Sequence, residues 1–114
     1  PSRGQLERTL SQQLQKLYRE HLDHSTGKVS CQLINDKLTV IVEDSLTKPE
    51  KLLIESSSDP ELVEKVRSDL EAVIRPRIIG LVEEILERQV LDLMSDTTLE
   101  TGRTGVIVIL AQQS

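Results

Sequence analysis

Residues 29–42 read VSCQLINDKLTVIV, two β-prone runs joined through Asn35-Asp36. The alternation fixes how they pair. With a two-residue loop Leu33 faces Leu38, Cys31 faces Val40 and Val29 faces Val42, so one face of the hairpin is wholly apolar. A three-residue loop would set Gln32 and Ser30 among those residues. A slip of one residue turns every side chain to the other face. The chain must therefore build a sheet with a buried side.

Helical patterns flank this hairpin. Leu6, Leu10, Leu14, Leu17 and Leu22 recur at helical spacing among Gln, Arg and Glu, which predicts a helix of about five turns ended by Ser25-Thr26-Gly27. Residues 44–58 read as a connection through Pro49 and Ser56-Ser57-Ser58, with one short turn around PEKLLIE. Ser58-Asp59-Pro60-Glu61 then gives a helix start: a capping side chain, proline in the first turn and an acid at the positive end of the dipole. The helical pattern runs to about Gln89, with Glu61/Lys65, Glu71/Arg75 and Glu84/Arg88 at i,i+4 spacing. Leu62, Val63, Val66, Leu70, Val73 and Ile74 make one stripe on it. Ile78, Ile79, Leu81, Val82, Ile85 and Leu86 make a second, roughly a third of a turn away. The change falls at Arg75-Pro76, where proline removes a backbone donor, so a kink is expected there.

Val90–Met94 and Val106–Leu110 predict a second hairpin around a long polar loop, SDTTLETGRTG. VIVIL does not alternate and reads as a central strand buried on both faces. The expected fold is a single α+β domain over 1–114, in two layers, of order α-β-β-α-β-β, with a mainly antiparallel sheet.

Composition narrows the function classes. Tyr18 is the one aromatic, so the core is Leu, Ile and Val and offers no stacking platform for bases. The net charge is −5: residues 1–58 carry eight positive and eight negative side chains, residues 59–114 six and eleven. An acidic chain without a basic stripe is a poor ligand for nucleic acid. One cysteine excludes an internal disulfide and points to a reducing compartment. No apolar run reaches the ~18 residues of a spanning helix, and no signal peptide opens the sequence. A cytoplasmic protein is expected, reaching the membrane only through a partner.

Candidate sites are few. Gly102-Arg103-Thr104-Gly105 is a literal G-x-x-G, but it leads into a strand rather than a helix, and reads as a turn needing φ > 0 at one or both glycines. His21-Leu22-Asp23-His24 offers too few ligands for a metal and suits a helix C-terminus. Cys31 alternates with Val29 and Leu33 and belongs to the core. Glu83, Glu84 and Glu87 lie on a polar helix face. No catalytic, metal or cofactor residue is expected. A ligand or partner site would lie in the second-hairpin loop, at Ser95, Asp96, Thr98, Gly102 and Arg103. Ile78, Ile79, Val82, Ile85 and Leu86 fall within an apolar arc of ~160°; left bare it would aggregate, so it predicts a homodimer interface.

GQLERTLSQQL, the hairpin ending LTVIV, VRSDLEAVIRPRIIGLVEEI and LDLMSDTTLETGRTGVIVIL together resemble the MpsC family of small bacterial proteins. That family takes its name from a membrane-potential-generating system whose other components resemble cation- and inorganic-carbon-translocating membrane proteins. The resemblance implies a soluble accessory or regulatory subunit, partnered by a membrane transport protein, with no catalytic residue to carry over. The alternative is a sensor domain binding a small ligand at the Asp96 to Arg103 loop.

Overall fold

The computed structural model describes residues 1–56 and 59–113. Its first helix, α1, spans Arg3–Leu22. Ser2 caps it reciprocally with Gln5: the Ser2 hydroxyl takes the Gln5 N–H at 3.2 Å and the Gln5 amide oxygen takes the Ser2 N–H at 2.8 Å. The helix stops earlier than Gly27. Asp23 takes the left-handed position at φ +49°, which a short polar side chain tolerates.

Strands β1 (Val29–Ile34) and β2 (Lys37–Val42) pair antiparallel in the expected register, Leu33 opposite Leu38, Cys31 opposite Val40 and Val29 opposite Val42. Asn35 turns the chain at φ +57°. The connection after β2 holds more structure than the sequence pattern promised: a nine-residue helix, α2, runs Lys48–Ser56. Ser57 and Ser58 lie outside the described residues. The long helix α3 spans Pro60–Leu86 without a break at Pro76, capped by Asp59, whose carboxylate takes the Glu61 N–H at 3.1 Å. Pro76 sits on the exposed side, where water can satisfy the carbonyl deprived of its helical donor.

The two stripes on α3 merge into one. Val63, Arg67, Ile74, Ile78, Val82 and Leu86 are the buried positions, mostly four residues apart. Each four-residue step advances ~40° around a straight helix, so a single buried line winds round α3 and looks like two separate faces on a wheel. Leu62 and Val73, assigned to the first stripe, are exposed. The predicted ion pairs also rearrange. Lys65 pairs with Asp69 at 3.3 Å, Glu71 with Arg67 at 3.4 Å, and Arg88 donates to the carbonyls of Asn35 and Ala111.

The second hairpin is longer than expected. Strands β3 (Val90–Thr98) and β4 (Arg103–Leu110) leave only Leu99–Gly102 as the turn. Most of the predicted polar loop is strand, because Thr-rich sequence fits a pleated surface. The sheet order is β1-β2-β4-β3, antiparallel throughout, which makes β4 central. VIVIL nonetheless alternates: Val106, Val108 and Leu110 are buried while Ile107 is 44% exposed.

Helices α1 and α3 pack together over one sheet face, enclosing Leu10, Leu14, Tyr18, Leu38, Val40, Val82 and Val108 among others. Nothing among the described residues covers the other face, where Ile34, Ile41, Met94 and Ile107 are exposed. Both edge strands are engaged by helix side chains. Glu7 accepts the Leu33 N–H of β1 at 2.7 Å; Arg75 donates to the Leu93 carbonyl of β3 at 3.1 Å, and Glu83 accepts the Val90 N–H at 2.9 Å. Such contacts blunt an edge against pairing with another chain. The body measures 51 × 22 × 21 Å, with a radius of gyration of 14.6 Å.

Candidate functional site

Arg67 interrupts the buried line of α3 with a charge. Only 6% of its side chain is exposed, and its guanidinium is met by acceptors from four elements of the chain. Nη1 donates to Glu50 Oε1 at 3.0 Å and to the Ser45 carbonyl at 3.3 Å. Nη2 donates to Ser45 Oγ and Thr104 Oγ1, each at 3.2 Å, and Nε to Thr97 Oγ1 at 3.3 Å. Glu71, one turn along α3, lies 3.4 Å from Nε. Every N–H of a guanidinium is thereby committed.

The hydroxyls form a chain beside it. Thr97 and Thr104 face each other across β3 and β4 with their oxygens 2.6 Å apart, and Ser45 Oγ is 2.6 Å from Thr104 Oγ1. Thr97 donates to Glu71 at 2.8 Å. The turn glycine closes the group, its carbonyl taking the Ser45 N–H at 2.8 Å and the Ser45 hydroxyl at 3.1 Å. Gly102 adopts φ +71°, the one positive-φ glycine among the described residues; Gly105 is an ordinary strand residue.

Glu50 reaches this cluster because α2 begins with Thr47-Lys48-Pro49-Glu50, a capping box. Glu50 Oε1 accepts both the Thr47 N–H and the Thr47 hydroxyl at 2.9 Å, in addition to Arg67. Its Oε2 is buried with no hydrogen-bond partner, in a side chain of 0% exposure. Two carboxylates on one guanidinium leave the cluster one negative charge in excess. Nearby Tyr18 is buried, and that burial pushes its phenol above the ordinary value, with Arg67 pulling the other way and Glu71 and Glu50 adding to the rise.

Between α3 and the β3–β4 turn a cavity of about 720 Å³ opens on this cluster, lined by Glu64, Arg67, Glu71, Asp96, Thr98 and Glu100 among others. Its rim is predominantly acidic. Of the residues expected to form a ligand loop, Asp96 and Thr98 do line it, but from a strand. Ser95 is a half-buried strand residue, Gly102 lies in a second depression with Leu46 and Ile54, and the Arg103 Nε sits 2.6 Å from Glu43 Oε1. Arg103 is therefore paired with Glu43, just past the end of β2.

The other sequence candidates have structural roles. Cys31 is buried in the core and its thiol is pushed up by that burial. The His24 Nε2 lies 2.7 Å from the Asp44 carbonyl. Among the described residues no three His, Cys, Asp or Glu side chains converge as a metal site would require. Ile78, Val82 and Leu86 are inside the protein's own core at 5%, 0% and 6% exposure, so the part of the arc expected at a homodimer interface is covered within the chain itself; Ile79 and Ile85 are half-buried. Sequence reasoning missed Arg67, Glu50, Ser45 and Thr104. Two signals pointed there: a lone cation four residues after Val63 in an apolar line, and the T-x-x-E pattern at 47–50.

The bare sheet face is the second feature. Ile41, Met94 and Ile107 are 36%, 47% and 44% exposed, with Ile34 at 58% at one corner. Cross-strand pairing brings them together: Met94 lies opposite Ile107, and Ile41 opposite Gly105. The Ile41 side chain lies over Gly105, its Cδ1 3.8 Å from where a Cβ would stand, an ordinary contact distance. Lys37, Asp92, Asp96 and Arg103 stand around this patch. No helix among the described residues is long and apolar enough to cross a membrane.

Comparison with known families matches residues 2–112 to the family described as "Na+-translocating membrane potential-generating system (MpsC)". Comparison with curated proteins and with solved structures returned no match.

Proposed function

Because the chain belongs to the MpsC family, we propose that it is a non-catalytic accessory or regulatory module of a membrane system that translocates cations or inorganic carbon, acting through protein contacts as a homodimer on the cytoplasmic side. The family description ties it to Na+ translocation and a membrane potential. The observation that carries the interaction role is the uncovered sheet face. A two-layer domain with exposed Ile34, Ile41, Met94 and Ile107 on one surface has a third layer still to acquire. The edges are already engaged by Glu7, Arg75 and Glu83, so face-to-face packing of two sheets is the open route. Charges of both signs around the patch suit a two-fold arrangement, in which each copy presents the same surface. The saturated Arg67 cluster supports a non-catalytic reading, since it has no free donor for a reacting group.

Light scattering tests the dimer. The expected mass is twice 12.8 kDa, and Ile107→Lys, on the exposed face, returns the monomer without altering the fold. A wild-type mass of 12.8 kDa at ~100 μM, unchanged by the substitution, overturns it.

The acidic-rimmed cavity beside Asp96 and Thr98 favours a second reading, a sensor domain for a small cationic ligand. Thermal-shift measurements against organic amines separate the two. Stabilisation that rises with ligand occupancy supports the sensor, and a flat response leaves the interaction module.

A further inference from the structure

The cation at the centre of the buried cluster is held mainly by parts of the fold other than α2. Ser45, Thr97 and Thr104 position the Arg67 guanidinium from the sheet side, and Glu71 shares its helix. Only one contact comes from α2, the Glu50 carboxylate on Nη1. That carboxylate is poorly used. Its Oε1 takes three donors while Oε2, fully enclosed, takes none. A carboxylate selected only to balance Arg67 would spread its donors over both oxygens, because an unpaired buried oxygen carries a desolvation cost.

The element that brings Glu50 is weakly attached. Among the described residues, helix α2 packs on α3 and on no other element. Leu52 and Ile54 on it are 63% and 38% exposed. Besides Glu50, its ionic contact is Lys51 to Asp44 at 2.8 Å, between side chains that are about half exposed, 47% and 54%. The capping box on Thr47 is internal to the segment and does not need Arg67.

We propose that Arg67, its guanidinium held in place by Ser45 and Thr104, is a binding site for a small carboxylate, which the chain fills in this state with its own Glu50. An outside carboxylate takes the place of Glu50 on Nη1, and Glu50 swings to solvent with α2. The exchange conserves charge, one carboxylate leaving the guanidinium as another arrives. The internal occupant weakens apparent affinity in proportion to the fraction of molecules with α2 open.

Acetate is the probe, with chloride at matched ionic strength as control. Glu50→Ala empties the position. Acetate is expected to raise its melting temperature saturably, and chloride is not. The double variant Glu50→Ala/Arg67→Met, which removes both charges of the pair, is expected to lose that response. In wild-type protein acetate is expected to speed amide hydrogen exchange in Lys48–Ser56 while leaving the sheet protected, half-saturating at a concentration at least about tenfold higher than for Glu50→Ala. Should Glu50→Ala be unfolded in chloride, acetate must restore its circular dichroism. Equal effects of acetate and chloride on Glu50→Ala, an equal acetate response in the double variant, or wild-type exchange in α2 indifferent to acetate overturns the proposal.

Discussion

Replacing Arg67 with Met tests what the buried charge does for stability. Methionine keeps most of the apolar stem but strips five hydrogen bonds from the cluster. Glu71 is 23% exposed and can turn toward the cavity, so losing that contact costs at most about 1 kcal/mol. Glu50, at 0% exposure, stays enclosed for as long as α2 remains docked. Its charge is left with the Thr47 donors alone, and breaking a buried pair in this way costs about 3–5 kcal/mol. Total stability for 114 residues is roughly 6–17 kcal/mol at ~0.05–0.15 per residue, so the loss takes a large share of it. With a urea m-value of ~1.5 kcal/mol/M, the unfolding midpoint falls by about 2–3 M. Urea titration followed by circular dichroism measures this directly. Adding Glu50→Gln removes the stranded charge, so the double variant is more stable than Arg67→Met alone. A cost below ~1 kcal/mol, or a double variant that loses the sum of both single changes, refutes the reasoning.

Three further outcomes are expected. Leu14→Ala, at 2% exposure between α1 and the sheet, loses about 2–5 kcal/mol in the same urea assay. Gly102→Ala loses about 1–2 kcal/mol from its φ of +71°, since the nearest atom to a new Cβ is Leu46 Cδ1 at an ordinary 3.7 Å. Tyr18 is the sole aromatic, so tyrosinate absorbance reports one group: its ionisation midpoint lies above 10.0 while the protein is folded, and because the folded value is the higher one, stability is intact below pH 10.0 and falls as pH rises through the raised value. A tyrosinate midpoint at the ordinary value with the fold intact removes the claim that the ring is buried.

The parts of this fold that were legible in the sequence are those decided locally. The β1–β2 register follows from alternation across a two-residue turn, and the start of α3 from Asp59-Pro60. The sheet's one-sidedness was legible in β1 and β2 but not in β4, where VIVIL puts aliphatic residues on both faces and alternation disappears although burial alternates. The winding of the α3 line was hidden because a helical wheel treats the helix as straight and its neighbour as parallel. The Arg67 cluster was hidden for another reason. Ser45, Glu50, Arg67, Thr97 and Thr104 are spread over sixty residues of sequence and meet only through tertiary pairing. Asp96 and Thr98 were singled out as loop residues; they border the cavity as strand residues, because the Thr97–Thr104 pair extends the hairpin beyond its apolar core.

The 27-residue α3 is ~40 Å long at ~1.5 Å per residue, longer than any strand beneath it, and it sets the long axis of a 51 × 22 × 21 Å body. A chain of this length packed as a sphere would have a radius of gyration near 13 Å, against 14.6 Å here. Such a shape diffuses as a larger particle. On a sizing column a single copy will elute ahead of spherical standards of its mass, and two copies stacked sheet to sheet will add little to the longest dimension. Retention time thus separates the two states poorly. Rotational diffusion does better, because stacking thickens the short axes, and the anisotropy of amide relaxation along α3 compared with the strands registers that change.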